Sequence, residues 1–537
     1  MKSIALIAIF ASSAALVPSA LAAGQPCDQL AQLSLPDAKI TSALTVAAGA
    51  FTPPPTVAPW LAGDQSFYKQ LPAFCRVQAE AKPTAGSDIK IEVWLPASSW
   101  NGKFRGQGNG GFAGEIDYRS LGLAVMQGYA SAATDTGHAA AGTDASWALG
   151  HPEKIVDFAH RAIHEMTLVG KATTKAFYGD ALRRAYFSSC SNGGRQALME
   201  AQRYPGDYDG IIAGAPANYW THLLATALYN AQATTLDPAS YIPLSKVPTI
   251  AKAVNAACDA QDGVTDGVLN DPRKCHFDAA SLLCKSGDAE SCLTQPQVTA
   301  LKKLYDGARD SKGQLIFPGY LPGAEDGQGG WGLWITGPAP GKSLIFAFGV
   351  GFFSNMLYEK SDWDYKTAKF DEALAFADKK FSSVLNSTDT NLTPFQSHGG
   401  KLIIYHGWDD AAISALNSIN YYDAVVNKMG EKQADSFLRL YMVPGMQHCG
   451  GGPGPDAFGQ FGVSPVNDPQ HNMYLGLEQW VEKGTAPASF IASKAASPAP
   501  GAAVTETRPL CPYPQSAKYK GSGATNAAAN FVCSADK

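Results

Sequence analysis

The sequence predicts an α/β fold in which a largely parallel sheet is covered by helices and interrupted by a long insertion. Short apolar segments with strand-like alternation recur in the first and last parts of the chain, separated by helical patterns, and this alternation is typical of a parallel sheet. Between residues 216 and 397 the character changes to glycine, proline, local cysteines and aromatic clusters. With 537 residues, 45% of them hydrophobic, the chain can bury a large core in about two or more domains.

The elements follow from local periodicity and turn signals. Residues 89–95 alternate as a strand does, and apolar residues at helical spacing predict a helix over residues 152–177. The other predicted elements before the insertion are a glycine-rich loop over 104–114, a helix running into a strand over 123–133, a strand and turn carrying Ser191, a helix over 196–203 and a strand over 210–214. Those after it are a strand over 401–405, a helix over 417–429, a strand over 438–443 and a helix over 472–482.

These elements divide the chain into consecutive parts. We predict a signal peptide over 1–23, the first part of the core over 24–215, an inserted lid domain over 216–397, the second part of the core over 398–492, and a tail over 493–537 that wraps the surface under a disulfide. The tail is rich in alanine, proline and serine, and no internal repeat is evident.

The amino terminus is typical of a secretory signal peptide. A lysine precedes an apolar stretch over residues 4–17, and small residues at A-x-A spacing follow. The stretch is shorter than the ~20 residues that a membrane span needs. We therefore expect a secreted or periplasmic protein that does not reside in a membrane.

The charge balance narrows the class of partner. The formal net charge is -5, and no long basic run occurs in the sequence. A nucleic-acid partner is therefore not expected, because such proteins carry a basic patch or stripe. A small, neutral organic substrate fits this composition better.

Ten cysteines in an exported chain favour a framework of five disulfides. Sequence proximity pairs Cys258 with Cys275, Cys284 with Cys292, and Cys511 with Cys533. The four that remain are Cys27, Cys75, Cys190 and Cys449. Three connectivities of these four stay open on arithmetic alone.

Ser191 is the candidate nucleophile. It follows a predicted strand and precedes a predicted helix, in the stretch SCSNG over residues 189–193. This stretch keeps the second glycine of the nucleophile-elbow pattern G-x-S-x-G and has Ser189 in place of the first. An ordinary glycine-rich turn is the alternative, so the motif needs support from elsewhere in the chain.

A serine hydroxyl needs a base, and the base needs a carboxylate that fixes its tautomer. His448 precedes Cys449 as Cys190 precedes Ser191, so a Cys190–Cys449 bond, with Cα atoms about 5.5 Å apart, would bring the serine and histidine together. Asp409 and Asp410 follow a predicted core strand and give the order Ser, Asp, His that α/β-hydrolases use. The pattern alone does not choose between the two aspartates, and His406 is interpreted as an ordinary core histidine.

Acyl transfer also needs hydrogen-bond donors for an oxyanion. The amide after the nucleophile, that of Asn192, is one candidate, and Gly110 or Gly111 in the glycine-rich loop supplies the other. The loop lacks the G-x-G-x-x-G spacing with a trailing acid that marks a dinucleotide site.

A cluster of aspartates with glycines lies between Cys258 and Cys275. Hard oxygen ligands of this kind suit Ca²⁺, although the cluster lacks the twelfth-position glutamate of an EF-hand. The alternative is a solvated acidic loop. A metal here would be structural, because no candidate nucleophile or base is near in sequence.

At these residues the chain resembles the tannase and feruloyl esterase family, which also includes the mono(2-hydroxyethyl) terephthalate hydrolases. The resemblance covers nearly the whole chain after the signal peptide. The matching stretches are WNGKF over 100–104, GNGG over 108–111, TDTGH over 134–138, CSNGGRQ over 190–196, YPGDYDG over 204–210 and GAP over 214–216.

The resemblance implies an α/β-hydrolase core with a large inserted lid domain that supplies the substrate pocket. It implies a disulfide between Cys190 and Cys449, which leaves Cys27 to pair with Cys75, and it selects Asp410 as the acid of a Ser191–His448–Asp410 triad. It also implies a structural Ca²⁺ in the lid. The implied metal ligands are the side chains of Asp259, Asp262 and Asp266 and the backbone carbonyls of Val264 and Val268.

Two departures from the family pattern carry expectations. Ser189 stands where the family usually has glycine, which predicts slightly more strain at the turn. The lid stretch over residues 351–358 contains no arginine, which argues against a clamp for the carboxylate of a terephthalate monoester. The sequence therefore predicts a serine esterase acting on small aromatic esters of hydroxycinnamic or gallic acid, attached to a plant polysaccharide or polyphenol. A terephthalate monoester hydrolase and a non-catalytic, calcium-stabilised binding protein are the alternatives.

Overall fold

The computed structural model describes residues 24–56, 65–497 and 501–535. The predicted signal peptide over 1–23 lies outside the described residues. The strands are β1 Ala38–Val46, β2 Phe74–Ala81, β3 Ile89–Pro96, β4 Lys103–Gln107, β5 Ala130–Thr134, β6 Arg184–Cys190, β7 Gly210–Gly214, β8 Ala308–Arg309, β9 Leu315–Phe317, β10 Lys401–Gly407, β11 Leu438–Val443, β12 Phe490–Ala495, β13 Val504–Leu510, β14 Ser516–Tyr519 and β15 Phe531–Ser534.

The α-helices alternate with the strands of the core and dominate the insertion. They are α1 Gln65–Tyr68, α2 Tyr118–Met126, α3 Pro152–Val156, α4 Ala162–Tyr178, α5 Asn192–Arg203, α6 Trp220–Thr235, α7 Val247–Cys258, α8 Gln295–Asp306, α9 Trp331–Trp334, α10 Leu344–Gly351, α11 Phe370–Leu385, α12 Thr393–Ser397, α13 Leu416–Met429, α14 Glu431–Asp435 and α15 Met473–Lys483. A π-helical turn, Asp157–Arg161, joins α3 to α4, and another, Phe352–Leu357, extends α10.

A mixed sheet forms the centre of the molecule. Its nine strands, counted over the described residues, lie in the order β1-β2-β3-β5-β4-β6-β7-β10-β11. The strands from β5 to β11 pair in parallel, as predicted, whereas β1, β2 and β3 pair antiparallel at one edge. The antiparallel edge was not predicted, since only β3 of its three strands was identified in the sequence. β2 and β3 pair antiparallel because the short connection between them leaves no room for a crossover helix. The predicted α/β class is confirmed.

The predicted glycine-rich loop was wrong in its first residues. The glycine-rich loop expected over residues 104–114 begins with strand β4, which pairs with β5 and β6. Gly106 lies inside this strand, where a Cβ would overlap the Tyr208 hydroxyl. A glycine that permits close packing inside a strand therefore looked like a loop residue in the sequence.

Apolar side chains on one face of the sheet form the main core, together with helices α4, α5 and α13. Those on the other face pack against helices α2 and α15. The insertion contributes most of two further apolar clusters, one around helices α6 and α11 and the other around α7 and α8. The helices of the insertion therefore have a core of their own beside the sheet.

Over the described ranges, no helix is both long and apolar enough to cross a membrane.

The tail forms two small sheets, β12 with β13 and β14 with β15. It packs against the acidic loop of the insertion, where Arg508 contacts Asp266 at 2.6 Å and the Asn270 side chain donates to the Ala517 carbonyl at 2.7 Å. The tail thus bridges the second part of the core and the insertion.

All ten cysteines form disulfides, and the three pairs expected from proximity are confirmed. The connectivity that the residues alone left open is Cys27–Cys75 and Cys190–Cys449, as the resemblance implied. The Cys190–Cys449 bond joins positions 259 residues apart.

Candidate active site

Ser191 lies in the tight turn between strand β6 and helix α5. Its backbone has φ 66° and ψ -124°, a conformation that non-glycine residues adopt at a cost of order 1–3 kcal/mol. The surrounding backbone holds it there, because the Ser191 amide donates to Gly214 at 2.9 Å and its carbonyl accepts from Ala217 at 3.1 Å. The strained turn projects the hydroxyl beyond the carboxyl end of the central strands, as in a nucleophile elbow.

The strain of the turn does not fall on Ser189 itself. Ser189 belongs to strand β6, and positive φ occurs at Ser191 instead. Its side chain occupies the space that a Cβ on Gly193 would need. The Ser189 side chain therefore requires a glycine at position 193, and the Ser189 backbone itself is unstrained.

Ser191, His448 and Asp410 form one chain of hydrogen bonds. His448 Nε2 lies 2.9 Å from Ser191 Oγ, and His448 Nδ1 lies 2.7 Å from Asp410 Oδ2. Because the carboxylate can only accept, Nδ1 carries the proton and Nε2 is free to accept from the serine hydroxyl. This is the arrangement of a general base on a nucleophile, with a carboxylate that orients the base.

The disulfide lies directly beside this chain of bonds. The Cα atoms of Cys190 and Cys449 are 6.0 Å apart, close to the expected separation. Cys449 also has a positive φ of 66°. The bond therefore fixes two strained loops, one carrying Ser191 and the other carrying His448, against each other.

Asp410 rather than Asp409 contacts the histidine. Asp410 is fully buried, and its Oδ1 accepts from the amides of Ala412 and Ile413, both at 2.8 Å. Burial alone would raise the Asp410 pKa, but the charge of His448 and hydrogen bonds from His406 and His448 outweigh burial and hold that pKa well below its usual range. The carboxyl is thus kept ionised beside the histidine.

Asp409 is a different kind of group. Its side chain is buried, and Oδ1 has no hydrogen-bond partner within the described part of the chain. Burial, and then the charge of Glu325, raise the Asp409 pKa well above its ordinary value. Burial therefore favours the protonated form of Asp409, which lies at the junction between core and insertion.

His406 makes a contact that the sequence interpretation missed. The interpretation as a core histidine agrees with its complete burial, but His406 Nε2 also lies 3.1 Å from Asp410 Oδ2. The spacing of four residues in His406-Gly407-Trp408-Asp409-Asp410 was the available signal, because a turn directly after a strand can return a side chain to that strand.

The oxyanion candidates lie around the turn. In the described part of the chain, the amides of Gly110, Gly111 and Asn192 donate to no other group, and Gly110 is exposed. Gly111 has a φ of 58°, and a Cβ there would lie 3.0 Å from the Phe348 ring. The loop thus keeps free N–H donors beside an aromatic residue of the insertion.

Gln196 and Arg195 position these donors, and the sequence pattern gave them no role. Gln196 Oε1 accepts from the Asn109 amide at 2.9 Å, which ties helix α5 to the glycine-rich loop. Buried Arg195 donates from Nε to the Asn192 side chain at 2.8 Å. Both belong to the CSNGGRQ stretch, whose length beyond the serine was the signal for them.

Two aromatic side chains of the insertion approach the histidine. The Trp334 ring meets the His448 ring edge to face, with centroids 5.0 Å apart, and stacks on Phe348 at 6.3 Å. These residues were recognised in the sequence only as part of an aromatic cluster. They form an apolar wall that runs from His448 to the loop at Gly111.

In the lid stretch over residues 351–358, whose lack of arginine argued against a carboxylate clamp, most of the large side chains belong to the core of the insertion. Phe352, Phe353 and Met356 are fully buried in the apolar core of the insertion. Phe352 packs on Phe381, and Phe353 stacks on Trp363. Residues of these types occur both in a buried core and in the wall of an apolar pocket, so the sequence alone could not distinguish the two locations.

An open cleft of about 2000 Å³ borders the His448 loop on the side of the tail. Its lining includes Leu333, Gln447, Gly450 and Val463. Its volume exceeds the ~300–1,000 Å³ usual for a small-molecule site. Gln447 also accepts from the Gly329 amide at 2.9 Å and donates to the Asp326 carbonyl at 2.6 Å, so it ties the insertion to this loop.

The expected metal ligands lie in one turn of the insertion. Asp259 Oδ1 accepts from the amides at 266 and 267, and Asp262 accepts from those of Val264 and Asn270. Asp266 Oδ2 contacts Arg508, and Val268 is buried. Over the described ranges, no group of three or more histidine, cysteine, aspartate or glutamate side chains is close enough to hold a metal ion.

Comparison with known proteins identifies the family of this site. The family model described as "Tannase and feruloyl esterase" matches residues 75–534. The chain is 40% identical over 555 aligned residues to an uncharacterized esterase of Xanthomonas campestris pv. campestris, covering 98% of this chain and 94% of the relative. It is 34% identical to a probable feruloyl esterase B of Aspergillus clavatus, covering 84% of each. The crystal structure of feruloyl esterase B from Aspergillus oryzae superposes with a TM-score of 0.85 at 29% identity, covering 95% of this chain and 99% of that one.

Proposed function

Because the chain belongs to the tannase and feruloyl esterase family and is a carboxylic ester hydrolase, we propose that it cleaves esters of aromatic acids with Ser191 as nucleophile. One observation carries the proposal: the unbroken hydrogen-bond chain from Ser191 through His448 to Asp410. Hydroxycinnamate and gallate are the proposed acyl groups.

In the proposed mechanism, His448 Nε2 takes the Ser191 proton as Oγ attacks the ester carbonyl. The imidazolium that forms is stabilised by ionised Asp410. The free amides of Asn192 and Gly110 or Gly111 donate to the oxyanion, a type of contact worth about 10²–10³ in rate. His448 then gives its proton to the departing alcohol, and a water molecule activated by the same nitrogen hydrolyses the acyl-enzyme.

The residues around the site support an aromatic acyl group without a second carboxylate. Trp334 and Phe348 offer ring faces near His448, and aromatic rings pack favourably on such faces. Neither residue brings a positive charge that would pair with a terephthalate carboxylate. The relatives named feruloyl esterase B accord with a hydroxycinnamate.

The large cleft beside the His448 loop supports a bulky alcohol as leaving group. Its volume is far larger than a methyl or ethyl group, and its lining includes the glycines at 450–452, directly after His448 and Cys449. We therefore propose that the natural ester links the aromatic acid to a polysaccharide or polyphenol.

Export from the cytoplasm is part of the proposal. Five disulfides are typical of proteins in an oxidising compartment. The predicted signal peptide is the other support. We propose a secreted or periplasmic enzyme.

A structural Ca²⁺ in the acidic turn is also a proposal. The donor set fits by type, because Asp259, Asp262 and Asp266 offer hard carboxylate oxygens and Val264 and Val268 offer backbone carbonyls. Arg508 competes, since it pairs with one oxygen of Asp266. Adding Ca²⁺ to chelator-treated protein should raise the melting temperature, and mass spectrometry of untreated protein should find the ion. Absence of both effects would remove calcium from the proposal.

Replacing Ser191 by Ala tests the nucleophile. The variant should lose at least ~10³-fold in turnover of methyl ferulate and methyl gallate while keeping its melting temperature, because only the hydroxyl is removed. A fluorophosphonate probe should label the wild type at Ser191. Retained turnover by the variant, or a folded wild type that neither labels nor turns over any ester of a ferulate, gallate and terephthalate panel, would contradict the proposal.

A further inference from the structure

His406 contacts the same carboxylate oxygen of the proposed triad as His448 does. It lies in strand β10, and its ring is fully buried. Asp410 Oδ2 receives both rings, His448 Nδ1 at 2.7 Å and His406 Nε2 at 3.1 Å. One carboxylate oxygen is therefore shared by two histidines.

The surroundings fix the tautomer of His406. Its Nε2 also lies 3.1 Å from the Ile413 carbonyl, so both neighbours of this nitrogen are acceptors and Nε2 carries a proton. On the other side of the ring, Nδ1 lies 2.7 Å from the buried hydroxyl of Ser418 in helix α13. A neutral imidazole that donates from Nε2 accepts at Nδ1, so Ser418 donates to it.

We propose that His406 is a positioning residue that acts on His448 through Asp410, an inference that rests on the proposed Ser191 chemistry. Ser418 orients the His406 ring, His406 donates to Asp410 Oδ2, and that oxygen accepts from His448. The shared oxygen cannot rotate away from either ring, because the two amides that bond to Oδ1 hold the other end of the carboxylate.

The second donor also sets how strongly Asp410 attracts the proton of His448. Titratable groups that face Asp410 are His406 and His448 from the core and Tyr320 from the insertion, whose pKa is raised by burial and by the Asp410 charge. Removing the His406 N–H leaves more negative charge directed at His448, which stabilises its imidazolium form. The acid limb of the kcat/KM profile should then move to higher pH.

The test compares His406→Leu, which removes the donor, with His406→Gln, whose amide can donate from nearly the position of Nε2. We expect His406→Leu to lower kcat on methyl ferulate about 10- to 100-fold, the range for one hydrogen bond to a charged group. KM should change less than about threefold, the acid limb should move to higher pH, and fluorophosphonate labelling of Ser191 should slow. His406→Gln should recover most of kcat and of the profile.

His164→Gln is the matched control, because His164 pairs with Asp207 at 2.6 Å, away from the triad; its kcat and pH profile should stay those of the wild type. If His406→Leu does not fold, Ser418→Ala takes its place, with an expected loss of kcat of about two- to tenfold and the same direction of pH shift. A leucine or alanine variant with wild-type kcat and an unchanged profile would overturn the inference, as would a glutamine variant as impaired as the leucine variant. Activity in Ser191→Ala would instead overturn the proposed function.

Discussion

Glu325 should make the protein less stable as the pH rises. It lies in the insertion beside Asp409, its side chain is fully buried, and it accepts from the Tyr305 hydroxyl at 2.6 Å. Burial raises its pKa from 4.5 to about 7. A carboxyl whose pKa is raised by folding stabilises the folded state fully below its unfolded pKa, and this contribution is lost as the pH rises through the folded pKa.

The size of the effect follows from the two pKa values. Moving from 4.5 to about 7 corresponds to about 3 kcal/mol of unfolding free energy at 25 °C. For a chain of 537 residues, an unfolding entropy of about 2.1 cal/mol/K per residue converts this energy to about 3 °C in melting temperature. Glu325→Gln cannot ionise, so it should not lose this stability.

Differential scanning calorimetry at pH 4, 6 and 8 measures the difference. The melting temperature of Glu325→Gln relative to wild type should rise by about 3 °C between pH 4 and pH 8. Glu372→Gln, at an exposed glutamate that pairs with Lys369, should show no such trend. A Glu325→Gln difference that is flat with pH, or that falls, would refute the assignment of a neutral buried carboxyl at this junction.

Two further predictions concern the loop that carries His448. Gln447→Leu removes both hydrogen bonds to the insertion, so kcat/KM on methyl ferulate should fall about tenfold and hydrogen exchange over residues 326–330 should become faster. The control is Gln433→Leu, which breaks a side-chain pair on another surface. Unchanged exchange in Gln447→Leu would argue against a role of Gln447 in holding the insertion to the His448 loop. Replacing Cys190 and Cys449 together by serine should lower kcat/KM by at least about tenfold while the far-UV circular dichroism spectrum is retained. The same change at Cys284 and Cys292 should leave activity intact. Equal activity in the two double variants would show that the Cys190–Cys449 disulfide does not assemble the site.

The sequence predicted most accurately those helices and strands whose residue pattern is local. Strand β3 and the helical run from α3 to α4 appear at nearly the predicted residues, because period and turn signals act within a few residues. The order of the strands depends on pairing between distant segments, so no local signal carried it, and strands β1 and β2 of the antiparallel edge were not identified from their own patterns. Strand β4 was taken for a loop, because the partner that explains Gly106 lies about 100 residues away at Tyr208.

The candidate site divides in the same way. Ser191 and His448 were identified because each follows a predicted strand in a motif of its own, whereas the pattern left Asp409 and Asp410 open and the family resemblance selected Asp410. Their mutual distances, and the contact of His406 with Asp410, come from packing of the parallel strands. Trp334 and Phe348 were not separable from the aromatic core of the insertion, because burial against protein and contact with a ligand select the same side chains.

The source of each contact suggests how catalysis and specificity are separated. The hydrogen bonds to Asp410 all come from residues of the core, His406, Ala412, Ile413 and His448. The aromatic wall near His448 comes from the insertion. Under the proposed mechanism, we therefore expect substitutions in the insertion to change which acyl group fits while the proton path stays intact, and substitutions around Asp410 to change the rate for every ester. Trp334 is the exception to expect, because its ring contacts the base itself, so its replacement should alter KM and kcat together.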